Sequence, residues 1–544
     1  MATAVPRKKE FPTRQLFVLS LCRICEPISF CSILPYIYYM IESFGSAKSA
    51  NEIAVYAGMV TSAFAFAEFT TGMMWGRISD IFGRKPVLIM GLVGTMLSMI
   101  IFGFAKSFPV ALIARAVGGA LNGNVGVIQT TVAELATEKE YQGRTNGLVI
   151  LGARMMGHVD NCLARAFAVM PFVWCLGSII GPALGGLLAE PVKRYPAVFH
   201  SGGVFEEYPY LLPNLVSAII LVVGIIIGTL FLEETHEILR EKPDIGVRAG
   251  RRMAKFFGGH SSCSEGKIEG VEGYGSPPNE EEGLLTSGSS EYSTFPNAPA
   301  ADIAEEGHVG KRSPVTKTFT PPVIALIVSY GILAYHTMGF EQLFPVFLST
   351  PRAAEPPHHP FKFTGGFGLD TQSIGLILSV QGVVSMAIQF FLFPPIVEHF
   401  GTLSVYRFCM FLYPISYLIV PYIDFLPPSL SMAGVATVLL VRVTFSVLAY
   451  PCNAILLTNA APSLLVLGAI NGIAASAASL CRAFGPTITG LIYTQGLDWG
   501  MVGLAWWVNA GVCVIGGIQC LWMKEEDFDG SRKTGEIATD EEVG

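Results

Sequence analysis

Ionisable residues set inside apolar stretches carry the first chemical signal in this sequence. Arg23 and Glu26 stand three residues apart in a run that is otherwise apolar from 16 to 40, so a helix places them on one face, near enough to neutralise each other. A charge in such surroundings is expensive and marks a functional site by default. Glu26 is the expected proton-coupling residue, because a carboxylate can load a proton and a neighbouring arginine can release it when substrate enters; a static ion pair with Arg23 is the competing reading. Arg115, Arg442 and Arg482 lie in similar runs, as do Glu68, His336 and Glu341. Glu68 is read as facing a polar neighbour and His336 as a neutral, hydrogen-bonded ring. Asn122, Asn124 and Gln129 follow Arg115 and either line a midplane cavity or pack closely with Gly123 and Gly126. Tyr335, His336, Glu341 and Arg442 are the candidate cavity residues of the second half. Tyr335, with Tyr36, Tyr38 and Tyr39, can serve a flat or cationic substrate or act as an interface anchor. Cys22 and Cys25, with Cys31 beyond them, can be read as a metal site; the first two share a helical face, but a closed zinc site wants four ligands, so the three are read as small buried hydrophobes, with no metal and no cofactor expected.

The elements that must hold these residues are apolar and numerous. Of 544 residues 51% are hydrophobic and 14% charged, against roughly 25% charged in a soluble protein. Apolar runs fall near 16–40, 54–75, 87–105, 108–133, 168–189, 211–232, 321–349, 373–393, 403–423, 431–457, 464–493 and 500–523. A bilayer core needs about 20 such residues per helix, since every backbone polar group must be satisfied within the segment. The expected fold class is therefore an all-α polytopic membrane protein with twelve transmembrane helices in two six-helix bundles, 16–232 and 321–523, and no enzyme. The bundles are flanked by a cytoplasmic tail (1–15), a linker (233–320) rich in Gly, Ser, Pro and Glu and read as disordered, and an acidic tail (524–544).

The net charge is −7, but the segment 233–317 and the tail from Lys524 together hold −10, leaving +3 on everything else. No basic footprint for nucleic acid exists. Arg7, Lys8, Lys9 and Arg14 precede the first run, Arg77, Arg84 and Lys85 follow the second, and Arg240 to Lys255 follow the sixth. By the positive-inside rule both termini are cytoplasmic, and the first run is a retained helix rather than a cleaved signal. Glu280 to Leu285 fits an acidic dileucine sorting pattern, a faint pointer to the vacuole; plasma membrane and vacuolar membrane both stay open. A monomer is expected.

Landmarks recur in the two halves: Pro35 with Pro345, Asp80 to Gly83 with Glu398 to Gly401, Arg115 with Arg442, and Gly181-Pro182 with Gly485-Pro486. The offset is 327 residues at the arginines and 304 at the Gly-Pro pair, so the first half holds 23 extra residues between them. The segment 145–164 is the expected insertion, either a surface elaboration or an artefact such as translated intron.

Two motifs point to a family. Gly76-x-x-x-Asp80-x-x-Gly83-Arg84-Lys85 joins the second and third runs, and Gly177-x-x-x-Gly181-Pro182-x-x-Gly185-Gly186 lies in the fifth. The first resembles the loop signature of the major facilitator superfamily, with Ile81 where members usually carry a basic residue. The second resembles the antiporter motif of its drug:proton branches, although small residues at that spacing also suit plain helix packing. The stretches around Cys22 to Tyr36 and Arg115 to Leu135 are similar to fungal relatives of the zinc-induced facilitators and tetracycline exporters. The resemblance implies a conformational latch at Asp80, a proton step near Arg115, and protons and a small molecule as partners in a bilayer. No Gly-x-x-x-x-Gly-Lys-Ser/Thr loop is present, so the energy source is a gradient. The expected function is proton-coupled antiport of a small organic compound, by export or vacuolar sequestration. A facilitator or symporter of another solute or metal chelate, and a non-transporting sensor, are the alternatives.

Overall fold

The computed structural model describes residues 13–47, 49–137, 162–236, 239–240, 243–257, 319–353, 360–462 and 464–524. The first twelve residues, 145–161 of the expected insertion, the linker from 258 to 318 with its dileucine pattern, and the tail from 525 lie outside the described residues.

The first half runs through α1 (Thr13–Ser32), α2 (Ile37–Ser43), α3 (Ile53–Phe82), α4 (Arg84–Gly103), α5 (Phe108–Leu121), α6 (Asn124–Thr137), α7 (Cys162–Leu188), the short α8 (Pro191–Arg194) and α9 (Val204–Glu207), α10 (Leu211–Phe231) and α11 (Ile245–Phe257). The second half comprises α12 (Pro321–Ser349), α13 (Thr371–Ala387), α14 (Phe393–Phe400), α15 (Thr402–Ile419), α16 (Pro428–Ala460), α17 (Leu464–Asp498) and α18 (Leu504–Cys520). Among the described residues nine helices are long and apolar enough to cross a membrane, and Phe172–Leu188 and Leu504–Cys520 are shorter apolar helices.

Three apolar runs are not the continuous helices their composition suggests. The first breaks over residues 33–36, where Pro35 lacks an N–H and disfavours helical geometry in Leu34; the Ile37 N–H restarts the chain by donating to the Ile33 carbonyl at 3.0 Å. The fourth breaks at Asn122 (φ −91°, ψ 86°). The eighth continues past its expected end at 393 to Phe400, through a π-turn at Ile388–Leu392 ahead of Pro394 and Pro395.

Carbonyls of one helix meet glycines of the next, which sets how closely the helices approach. Along α7, a Cβ on Gly177 would lie 2.6 Å from Pro27 Cβ, one on Gly181 2.7 Å from the Ile28 carbonyl oxygen, and one on Gly185 would overlap the Ser32 carbonyl. The same helix turns its other small face to the second half, where a Cβ on Gly375 would lie 2.5 Å from the Pro182 carbonyl oxygen and one on Gly186 2.5 Å from that of Thr371. A second seam joins α3 to α17: Gly58 sits against the Pro486 carbonyl, and Ser62 Oγ accepts from Thr487 N at 3.2 Å.

Further polar contacts between the halves lie at one end. Asn51 donates to Asp498 at 2.9 Å, Arg194 reaches Asp370 at 3.3 Å and Gln372 at 2.5 Å, and the Tyr39 hydroxyl donates to the Leu369 carbonyl. The Asp80 carboxylate at the other end is 64% exposed and pairs within its own half.

Overpacking this seam costs about 1–3 kcal/mol per added methyl. Gly185→Ala is expected to lower the thermal unfolding temperature of the detergent-solubilised protein, whereas Gly511→Ala, whose Cβ would meet nothing within 4 Å, leaves it unchanged or slightly raised.

Candidate functional site

The break in the fourth apolar run builds the first part of the site. With the helix interrupted after Leu121, the Asn122 side chain bridges both sides: its Oδ1 accepts from Asn124 N at 3.2 Å, and its Nδ2 donates to Glu26 Oε1 at 2.5 Å. Trp75 Nε1 donates to the freed Ala120 carbonyl at 2.7 Å, and Gly123 leaves no room for a side chain beside that indole. The other Glu26 oxygen takes the ion pair from Arg23 Nη1. Glu26 is thus buried with both oxygens engaged.

Arg115 is buried about two turns before that break, its guanidinium 4.5 Å from the Phe64 ring centre and 5.7 Å from Phe30. Its Nε and Nη2 have no hydrogen-bond partner among the described residues. Cation–π contact supplies part of what water gave. The Glu68 carboxylate also acts on it electrostatically.

Glu68, on α3, is the residue whose importance the sequence understated. One of its oxygens, Oε1, is buried without a described partner, and the charges acting on it are Arg482, Arg23 and Arg115. Arg482 comes from α17 in the opposite half, where Nη2 donates to Ser479 Oγ at 3.0 Å. A carboxylate in the middle of Ala-Phe-Ala-Glu-Phe-Thr was the available signal; what it faced needed the packing of α3 on α17.

The second half carries a related but different arrangement. Arg442 Nη1 pairs with Glu341, Nη2 donates to the Thr337 carbonyl at 3.1 Å, and the guanidinium lies 4.5 Å from the Phe340 ring centre. Arg442 is buried, while the Glu341 side chain keeps 34% of its surface open. His336, at the repeat position of Glu26, is enclosed by tyrosines. The Tyr417 hydroxyl donates to the His336 carbonyl at 2.8 Å and so accepts from Nδ1 at 2.9 Å, while Nε2 has no partner among the described residues. Tyr335 is half-buried, and its carbonyl receives Gly485 of α17.

The remaining predicted residues divide between helix packing and the turn after α3. Asn124 is buried against Gly91 of α4, and Gln129 lies on α6 with its side chain outside the described residues. Gly177, Gly181, Pro182, Gly185 and Gly186 all sit in the α7 seam. Gly76 has open space around its Cα, whereas Gly83 takes φ 103°, a conformation L side chains rarely adopt, directly over the Glu234 carboxylate. That carboxylate caps α4, accepting from Arg84 N at 2.8 Å and Lys85 N at 3.1 Å, where the helix dipole favours negative charge. Arg84 reaches Asp80 at 2.5 Å and Glu134 at 2.9 Å, and Lys85 Nζ reaches Asp244 at 2.6 Å. Glu134, Glu234 and Asp244 were not anticipated. They lie far from the motif in sequence and are ordinary surface carboxylates until the chain folds.

A family model described as Major Facilitator Superfamily matches residues 19–157 and 357–542. The chain belongs to the major facilitator superfamily. It is 50% identical over 95% of its length, and 84% of the relative's, to the major facilitator superfamily multidrug transporter mfsB of Aspergillus fumigatus. It is 26% identical to the protein zinc induced facilitator-like 1 of Arabidopsis thaliana, over 90% of this chain and 85% of that one. Among solved structures, a D-xylose–proton symporter matches with a TM-score of 0.60 at 12% identity, covering 96% of this chain and 99% of that one. A bacterial homologue of the human lysosomal transporter Spinster, inward-facing and unoccupied, matches with a TM-score of 0.56 at 14% identity, covering 96% and 98%. This superfamily member is a multi-pass membrane transporter of small molecules and belongs to no enzyme family.

Two outcomes follow from these contacts. Asn122→Ala leaves Asn124 N and one Glu26 oxygen unserved and is expected to destabilise the protein by about 1–3 kcal/mol in a detergent melt. Burial pushes the Asp244 carboxyl up, but the Lys85 hydrogen bond and the Val247 N–H outweigh it and hold it below its ordinary 3.8. Its contribution is therefore present above that value and lost as pH falls through the lowered one. Melting below about pH 4 should lose this share in wild type and show no such step for Asp244→Asn.

Proposed function

We propose that this transporter is a proton-coupled antiporter that exports or sequesters a small organic compound by alternating access. The observation that carries the reading is a pair of carboxylates in the bilayer interior sharing one set of arginines: Glu26 paired with Arg23, and Glu68 facing Arg23, Arg115 and, from the other half, Arg482. Removing or adding one proton there changes the net charge of a water-poor region by one unit and with it the attraction between α3 and α17. That is how protonation is converted into relative movement of two rigid halves. A proton entering down a 100 mV potential supplies ~2.3 kcal/mol, enough for useful accumulation of substrate.

Glu26 is the coupling residue of this reading, with Arg23 and Arg115 setting its proton affinity and Glu68 completing the charge set. Asn122, Tyr335, His336, Glu341 and Arg442 contribute the polar surface met by substrate, with Asn124 and Gln129 as supporting positions. Gly76, Asp80, Gly83, Arg84 and Lys85 form the latch on the cytoplasmic side, where the excess of Lys and Arg also places both termini. The multidrug transporter at 50% identity supports an organic substrate. The protein works as a monomer in the plasma or vacuolar membrane.

The test is proton movement in proteoliposomes carrying a pH gradient, on adding organic cations, organic anions or zinc in turn. Substrate-dependent flux that Glu26→Gln and Glu68→Gln abolish, with melting temperatures within a few degrees of wild type, is the expected result. Substrate movement with no proton flux makes the protein a facilitator. Flux unchanged in Glu26→Gln removes that carboxylate from coupling. A variant lacking 145–164, run alongside, is expected to transport like wild type; transport confined to that variant identifies the segment as a brake or an error.

A further inference from the structure

The basic helix α11 has no part in the reading above. It runs Ile245–Phe257 directly after the sixth apolar run, with four cationic residues, Arg248, Arg251, Arg252 and Lys255, and no acidic one. Its position is held by contact and by charge. A Cβ on Gly246 would overlap the Thr229 carbonyl and one on Gly250 the Leu230 carbonyl, so one face of α11 lies directly on the last turn of α10. Val247 is buried on that side. Asp244 caps the helix at Val247 N (3.2 Å) and at the same time pairs with Lys85, which also donates to the Thr229 carbonyl at 2.8 Å.

Two faces are left over, and they differ in kind. Ile245, Ala249 and Met253 follow each other at four-residue spacing, so they line one stripe; Ile245 is 82% and Met253 47% exposed. Beside it Arg248 and Arg252, again four apart, are exposed and have no carboxylate partner among the described residues, whereas Arg251 pairs with Glu233 at 2.9 Å. A solvated anchor would show the cationic face without the apolar one. An apolar stripe flanked by a cationic one, on a helix fastened to the end of a membrane span, fits the boundary between acyl chains and headgroups.

We propose that α11 is an interfacial helix that docks anionic phospholipid headgroups through Arg248 and Arg252 while Ile245 and Met253 enter the acyl boundary. The Asp244–Lys85 pair ties that docked helix to the Gly83-Arg84-Lys85 turn. The acidic tail of the chain is the other occupant to consider. Its 21 residues from Lys524 carry 3 basic and 8 acidic residues but few apolar ones, Phe528, Ile537, Ala538 and Val543, so it complements the cationic stripe and leaves the apolar stripe uncovered.

The full chain in nanodiscs of phosphatidylcholine alone, or of phosphatidylcholine with phosphatidylserine, provides the test. Two readouts apply: backbone hydrogen–deuterium exchange over 245–257, and quenching by spin-labelled lipid of a fluorophore on Met253→Cys. Slower exchange and stronger quenching in the phosphatidylserine discs are expected. Each arginine neutralised in Arg248→Gln and Arg252→Gln should reduce the protection about fivefold. Arg248→Lys with Arg252→Lys should keep it, and a wild-type melt for the Gln pair excludes unfolding as the cause. Equal exchange and quenching in the two lipids overturns the proposal. Protection insensitive to the Gln pair overturns it also, as does protection that disappears when 525–544 are removed regardless of lipid.

Discussion

Everything central in this protein answers to the cost of holding charge where water is scarce. An arginine in hydrocarbon survives only if something nearby replaces its hydration. Three arginines within the apolar runs use different substitutes. Arg23 has the Glu26 carboxylate, Arg115 has the faces of Phe64 and Phe30, and Arg442 combines Glu341, a main-chain carbonyl and the Phe340 ring. These substitutes are unequal in a useful way. Arg442 has two of its nitrogens engaged and only Nε unpartnered among the described residues, while Arg115 keeps Nε and Nη2 unpartnered and Glu68 keeps one oxygen in the same condition. Unmet demand of that kind is what a proton or a polar substrate can change.

The proposed movement of the halves needs seams that hold without being glued. The α7–α13 and α3–α17 seams are built from glycines lying against carbonyls, which gives dispersion contact over a long strip but few strong polar bonds to break. Among the described residues the ion pair between the halves, Arg194 with Asp370, and the Asn51–Asp498 bond lie at one end, and the Ser62–Thr487 hydrogen bonds are set within the α3–α17 seam. Such an interface can rock about its small residues while one end is released and the other closes.

At the opposite end the loop after α3 is organised from within the first half. The Glu234 carboxylate sits on the exposed N–H groups at the start of α4, Arg84 is shared between Asp80 and Glu134, and Thr235 Oγ1 donates to Glu134 at 2.7 Å. Gly83 permits this because a side chain there would occupy the space of the carboxylate. Ile81, which departs from the family pattern, is exposed and takes no part in the network. The charges that matter therefore remain connected without the missing basic residue.

Composition, the spacing of apolar runs and the two glycine motifs were enough to determine a polytopic helical transporter of this superfamily, because hydrocarbon imposes length and helicity on any segment that crosses it. Spacing along one helix was also enough for the Arg23–Glu26 pair, a contact of i to i+3. Contacts between helices were beyond it. That Asn122 breaks its helix and turns its amide to Glu26, that Arg482 of the other half comes within electrostatic reach of Glu68, and that Glu134, Glu234 and Asp244 assemble on Arg84 and Lys85 were decided only by tertiary structure. The physical reason is range: periodicity reports which face a residue occupies, whereas the partner on the facing helix depends on register and crossing geometry set by many small packing contacts at once.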